Sequence, residues 1–349
     1  MDDAAPDLLK FALRYRRTSL VEKTQLKDSS ARRRTFSAAL QQFEEQMQAA
    51  KVVTSATRPI NLYYGLVQAG LAVTAAHTSG NWTFNKHGLK VLDMRPNLPE
   101  ITIRNDGDGA FQYVARATGS ELITDTVTLG ALWKSLPGLC ELPLDGTTSP
   151  SSLGLIKHSR ADGEGYPQLG PGYFRGQLLI DGDLPEQADR EDWFRTAAAT
   201  YPVLSNAKLW GDIDTAFEAI RPGRFGVEVG WPVPQGPAAQ DVPENEIEAF
   251  FDRTAAQYRF NEDRYLRPTL GAAQAPPPSP LMTWWTLLYA FSMISRYQPL
   301  KWAEALDLDK SRNAAVVQYA LENALEVLPH LVLEALDGEP MLLGRPMRF

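Results

Sequence analysis

Cysteine is nearly absent: Cys140 is the single one in 349 residues. That excludes an intramolecular disulfide and fits a reducing compartment. Histidine is scarce too. His77, His87, His158 and His330 are scattered and include no His-x-x-x-His pair, so the ligand spacing of a metal site is missing and no metal is expected. The sequence has no Walker-type phosphate loop, no glycine-rich dinucleotide fingerprint after a strand, and no Gly-x-Ser-x-Gly elbow, so no cofactor is expected either. It also lacks an apolar run of about 20 residues, the length a membrane span requires. The start, Met1-Asp2-Asp3-Ala4-Ala5-Pro6-Asp7, is acidic where a signal peptide is basic. Net charge is -7, which argues against wholesale coating by nucleic acid but leaves room for a local basic patch. The expectation is a cytoplasmic protein off the membrane.

What is present is a normal core composition, 44% hydrophobic and 22% charged, and two very apolar helical segments far apart in sequence. The first runs from Arg58-Pro59 to His77. The second runs from Pro280 through Trp284, Trp285 and Arg296 to Trp302. Segments this apolar must be buried, and each is the natural partner of the other. Between them the pattern changes. Glu100 to Arg104 and Ala110 to Arg116 both alternate, with Asn105-Asp106-Gly107-Asp108-Gly109 as a turn, which predicts a β-hairpin. Tyr173 to Ile180 and Phe225 to Gly230 read as strands; Leu129 to Leu136, Glu191 to Tyr201 and Asp212 to Ile220 read as short helices. Residues 7 to 56 and Glu244 to Tyr258 read as helix, as does Ser311 to Leu336 with a break at Pro329. The expected fold class is α+β, predominantly α-helical, with a helical core from both ends of the chain and a strand-containing insertion. The expected divisions are 1–95, 96–243 and 244–349.

Several pieces carry a family resemblance. Arg58-Pro59 with Leu62-Tyr63-Tyr64, then Lys86-His87-Gly88-Leu89, then Arg296-Tyr297-Gln298-Pro299 and Trp302, then Pro329-His330-Leu331, resemble in order and separation the YaaC-like family of bacterial proteins. The resemblance spans roughly residues 30 to 336, and Gln298 stands where the pattern has a histidine. It implies a cytosolic bacterial protein and no particular chemistry. The first two helices also loosely resemble HEPN-type domains, which include RNases. The arginine followed four to six residues later by histidine that such nucleases carry is missing from this sequence.

The polar candidates lie beside the apolar segments, where a charge or an imidazole needs a partner. Arg58, His87 and Arg296 are candidate ligand-binding residues. Arg32, Arg33 and Arg34, close to Arg14, Arg16 and Arg17, are candidates for contacting nucleic-acid phosphates. No catalytic residue is identified. The leading expectation is a non-catalytic binding or scaffold protein with a protein partner or a second copy of itself, a subunit of a bacterial complex, defence being one setting. The alternative is an enzyme or sensor acting on RNA or nucleotides. Convergence of Arg58, His87 and Arg296 in one accessible pocket favours a ligand site, and dispersal favours a scaffold.

Overall fold

The computed structural model describes residues 8–95, 97–158, 173–232, 243–258, 263–271 and 275–338. The protein is α+β and predominantly helical, and it divides into two compact units. One unit holds the described residues up to Ser149 and from Pro277 onward; the other holds those from Pro150 to Pro276.

The chain begins with α1 (Leu8–Ser19), α2 (Ser30–Val52) and α3 (Arg58–His77). The single long helix expected over residues 7 to 56 is therefore interrupted. The Ser29 hydroxyl accepts from Arg32 N at 3.3 Å and caps a new helix there, as a short polar side chain with extended backbone does. Next come β1 (Leu89–Asp93), β2 (Thr102–Asn105), α4 (Ala110–Thr118), β3 (Val127–Thr128) and α5 (Leu129–Lys134), with the strands in sheet order β1-β2-β3.

The expected hairpin over residues 100 to 116 is wrong in its second half. β2 finds its partners in β1 and β3, and residues 110–118 are helix. Phe111, Val114 and Ala115 sit at helical spacing and are all fully buried. The turn does not form a phosphate cradle. Ala110 N and Phe111 N donate to the carbonyls of Lys86 and His87, and Gly109 N donates to Gln112 Oε1. The first amides of α4 are thus already satisfied.

The second unit carries β4 (Leu153–Lys157), β5 (Tyr173–Asp181), α6 (Arg190–Thr200), β6 (Lys208–Leu209), β7 (Phe217–Arg221), β8 (Arg224–Pro232), α7 (Glu244–Thr254), β9 (Ala256–Tyr258) and β10 (Asp263–Leu266). Its antiparallel sheet runs β6-β8-β5-β4-β10-β9, with β7 also paired to β8. Phe225, Val227, Val229 and Trp231 alternate on β8 and pack into one core with Phe251 of α7. The helix expected over 212–220 is absent: the Asp212 carboxylate takes the N–H groups of Asp214 and Thr215, and Phe217–Arg221 turns at Gly223 (φ 73°) into a hairpin with β8.

The chain then returns to the first unit with α8 (Pro280–Tyr297), α9 (Pro299–Ala305) and α10 (Ala314–Asp337). α8 packs against α3 as the two apolar segments require. At Gly70 a Cβ would lie 2.6 Å from the Trp285 ring and 2.6 Å from a Val114 methyl, so only glycine lets these elements approach so closely. Trp133, Trp284 and Trp285 are fully buried. α10 runs on through Pro329, where a break was expected.

Candidate functional site

Lys86-His87-Gly88 is held by backbone. The Lys86 and His87 carbonyls cap α4, and Gly88 O accepts from Asp106 N at 2.9 Å and from Gln112 Nε2 at 2.8 Å. Gly88 has φ 78°, and a Cβ there would meet Gln112 Oε1 at 1.9 Å. The segment therefore has one conformation, and it places the half-buried His87 against α3 and α8.

There His87 meets tyrosines. Its Nδ1 lies 2.8 Å from the Tyr63 hydroxyl. Its ring lies 5.6 Å from the Tyr63 ring and 5.5 Å from the Tyr289 ring. Burial pushes the Tyr63 hydroxyl far above its ordinary value, so it keeps its proton and is able to donate. In the tautomer with the proton on Nε2, Nδ1 accepts from that hydroxyl. Burial, and then the Arg296 guanidinium, hold the His87 pKa below its ordinary value, so the ring is neutral at pH 7. The Tyr289 hydroxyl donates to Leu89 O at 2.8 Å, and burial and the nearby Asp106 raise it to about 12.

Arg296 closes the cluster from the last turn of α8. Its Nη1 donates to the Tyr64 hydroxyl at 3.1 Å and its Nε to Ser292 O at 3.1 Å. Its guanidinium carbon lies 5.7 Å from the Tyr64 ring centre and 5.2 Å from that of Tyr297, within cation–π range. Tyr297 is 60% exposed. Among the described residues no carboxylate pairs with Arg296. Its Nη2 donates to the Met293 sulfur at 3.1 Å, a weak acceptor, so the guanidinium, the Tyr64 O–H and, in the Nε2–H tautomer, His87 group donors with no charged acceptor among those residues. Donors grouped in this way suit a carboxylate or a phosphate.

The candidate residues thus separate. His87 and Arg296 share one tyrosine cluster. Arg58 is spent elsewhere: its Nε donates to Ala50 O at 3.0 Å and its Nη2 to Val53 O at 3.1 Å, capping the C-terminus of α2. Trp302 donates from Nε1 to Ser55 O at 3.1 Å and ties the same turn. Arg58→Ala is expected to cost about 1–3 kcal/mol of stability, read from the denaturation midpoint. Arg32 is also structural. It caps the end of α3 through the Ala75, Thr78 and Gly80 carbonyls and lies 4.5 Å from the Trp82 ring centre. Arg33 and Arg34 are exposed. The basic character of the N-terminal helices is partly used up, because Arg14 pairs with Glu44 and Arg16 with Asp337.

Sequence reasoning passed over the tyrosines. Tyr63, Tyr64 and Tyr297 lie inside the pieces that carry the family resemblance, and Tyr289 lies two helical turns before Arg296. Their adjacency to His87 depends on the α3–α8 contact, which no local pattern encodes.

A family model described as YaaC-like Protein matches residues 5–336. The chain belongs to the YaaC-like family. No curated protein and no solved structure matches it. The Arg58-Pro59 and Trp302 pieces of the resemblance serve the α2–α3 turn, whereas the Tyr63-Tyr64, His87 and Arg296 pieces meet in one cluster. Among the described residues no helix is long and apolar enough to cross a membrane, and no group of three His, Cys, Asp or Glu side chains is placed to hold a metal.

The depressed His87 pKa fixes a pH dependence. An imidazole that resists protonation when folded binds fewer protons than the unfolded chain does. Its contribution is fully present above the unfolded value of about 6.5 and is lost as pH falls through the lower folded value. His87→Gln is expected to flatten the loss of stability between pH 7 and 5. A denaturation series that drops equally steeply in both proteins would refute this.

Proposed function

We propose that this YaaC-like protein binds an anionic ligand, a carboxylate or phosphate group, on the surface formed by His87, Tyr64 and Arg296. We take it to act as a non-catalytic binding subunit of a bacterial complex. The observation that carries the reading is the Arg296 guanidinium, flanked by tyrosine rings and lacking a carboxylate among the described residues. A guanidinium in that setting gains most from a ligand that supplies the missing charge. The measurement is a thermal denaturation series with inorganic phosphate, acetate and AMP against chloride at equal ionic strength. One of the anions is expected to raise the midpoint of the wild type and not that of Arg296→Gln. Equal shifts in both proteins would remove the proposal. The subunit part is tested by purifying the tagged protein from its host and asking for a stoichiometric partner.

One observation favours a second reading, an enzyme acting on RNA or nucleotides. A neutral imidazole with an unengaged Nε2–H beside a guanidinium is suited to moving a proton. Turnover of an RNA oligonucleotide or of ATP that is lost in His87→Gln would establish that reading over the first.

A further inference from the structure

The Arg296 guanidinium lies beside two tyrosine rings, and the two differ in their surroundings. Tyr64 is half-buried on α3, and its ring lies 5.8 Å from that of Tyr63. Tyr297, the last residue of α8, is exposed, and the Arg296 guanidinium is the one cation or ring against it among the described residues. Leu300 follows three residues later, on the first turn of α9, and is 73% exposed. A single apolar side chain in water is ordinary. A tyrosine and a leucine left in water next to a guanidinium that lacks a carboxylate are a different arrangement, because they set apolar surface beside the point where a charged group is held.

The backbone fixes that surface. Gln298 leaves the helix with φ -134° and ψ 57°, and Pro299 opens α9 at its first position, where its restricted φ suits a helix. Gln298 N donates to Ile294 O at 2.8 Å, and Gln298 O accepts from Trp302 N at 2.9 Å, so the junction is tied to the helix on each side. The buried Trp302 in turn donates to Ser55 O. Tyr297 therefore stands on a fixed junction, and little backbone ordering is left to oppose binding there.

We propose that the ligand of the Arg296 site is an anion that carries a planar ring. The anionic group sits on the guanidinium, and the ring stacks on Tyr297. This inference rests on the anion reading and narrows it to a class of ligand. The guanidinium carbon lies 5.2 Å from the Tyr297 ring centre, so one small molecule reaches both groups. Stacking on an aromatic side chain tolerates different rings, because each has a π-face. A nucleotide base and an aryl carboxylate share this chemistry. Inorganic phosphate and acetate leave the Tyr297 ring in water and are expected to be weaker ligands.

The test is titration calorimetry on the full chain with two matched pairs of anions that differ chiefly in the ring: AMP against ribose 5-phosphate, and phenylacetate against acetate. In one pair or both, the ring-bearing anion is expected to bind at least about fivefold tighter, and the pair that shows it tells a nucleotide from an aryl carboxylate. Tyr297→Ala is expected to abolish that preference and Tyr297→Phe to keep it. The side chain is mostly in water, so neither change disturbs the core. Equal affinities within both pairs, or a preference undiminished in Tyr297→Ala, overturn the inference and leave the anion reading standing. Binding of no member of either pair, or binding unaffected by Arg296→Gln, removes the anion reading and this inference with it.

Discussion

Trp285→Ala is expected to destabilise the helical unit by about 3–5 kcal/mol. That is a large part of the roughly 5–15 kcal/mol that holds a typical domain together. The indole is fully buried, its ring edge meets Tyr63 with centroids 6.2 Å apart, and it fills the space that Gly70 leaves open. Removing it leaves a cavity between α3 and α8 and loosens the face of Tyr63 that orients His87. Gly70→Ala gives the complementary result. Alanine is the better helix former by about 1 kcal/mol, yet its Cβ would lie 2.6 Å from the Trp285 ring, so overpacking at about 1–3 kcal/mol wins. In the Trp285→Ala background the clash with the ring is gone and the one with the Val114 methyl remains, so Gly70→Ala is expected to cost less than it does in the wild type. Chemical denaturation of the two single variants and the double variant reads the coupling. Simple additivity would show that Gly70 and Trp285 do not share this contact.

Arg296→Gln is expected to weaken anion binding by about 10- to 100-fold, the worth of roughly 1.5–3 kcal/mol for hydrogen bonds to a charged group. Stability is expected to change little. The guanidinium sits at a helix end with Ser292 O and the Tyr64 hydroxyl as its shortest oxygen partners, and no buried carboxylate among the described residues is left uncompensated by its loss. Arg296→Lys keeps the charge and gives up the planar fork, so it is expected to recover part of the affinity and not all of it. Tyr64→Phe removes one donor, with a smaller loss. A protein in which Arg296→Gln binds the anion as well as wild type would assign Arg296 to the fold alone.

The sequence revealed the helical frame because its signal is local. Phe36, Leu40, Phe43 and Met47 recur at helical spacing, and all four are buried on α2. The run from Leu281 to Phe291 is apolar on every side and is buried on every side. Misreadings occurred where local pattern admits two answers. Ala110 to Arg116 alternates like a strand and also presents Phe111, Val114 and Ala115 like a helix. Satisfaction of the α4 amides by the Lys86 and His87 carbonyls decided between them. That is a non-local event. Phe217–Arg221 likewise became a strand because β8 was there to pair with it. The site was half legible. His87 and Arg296 stood out as polar groups next to apolar segments. Arg58 stood out for the same reason and proved to cap α2, since the chain curls back on itself within eight residues. The tyrosines joining His87 to Arg296 were in view as residues but not as neighbours.

The most direct measurement follows the His87 imidazole by nitrogen-15 NMR while inorganic phosphate or AMP is added. An anion that sits on Arg296 and accepts from Nε2 neutralises the charge that, after burial, holds the His87 pKa down. The Nε2 resonance is expected to shift with ligand and the His87 pKa to rise, and both responses are expected to vanish in Arg296→Gln. A His87 resonance that stays fixed while the ligand demonstrably binds, or that responds equally in Arg296→Gln, would contradict a shared site.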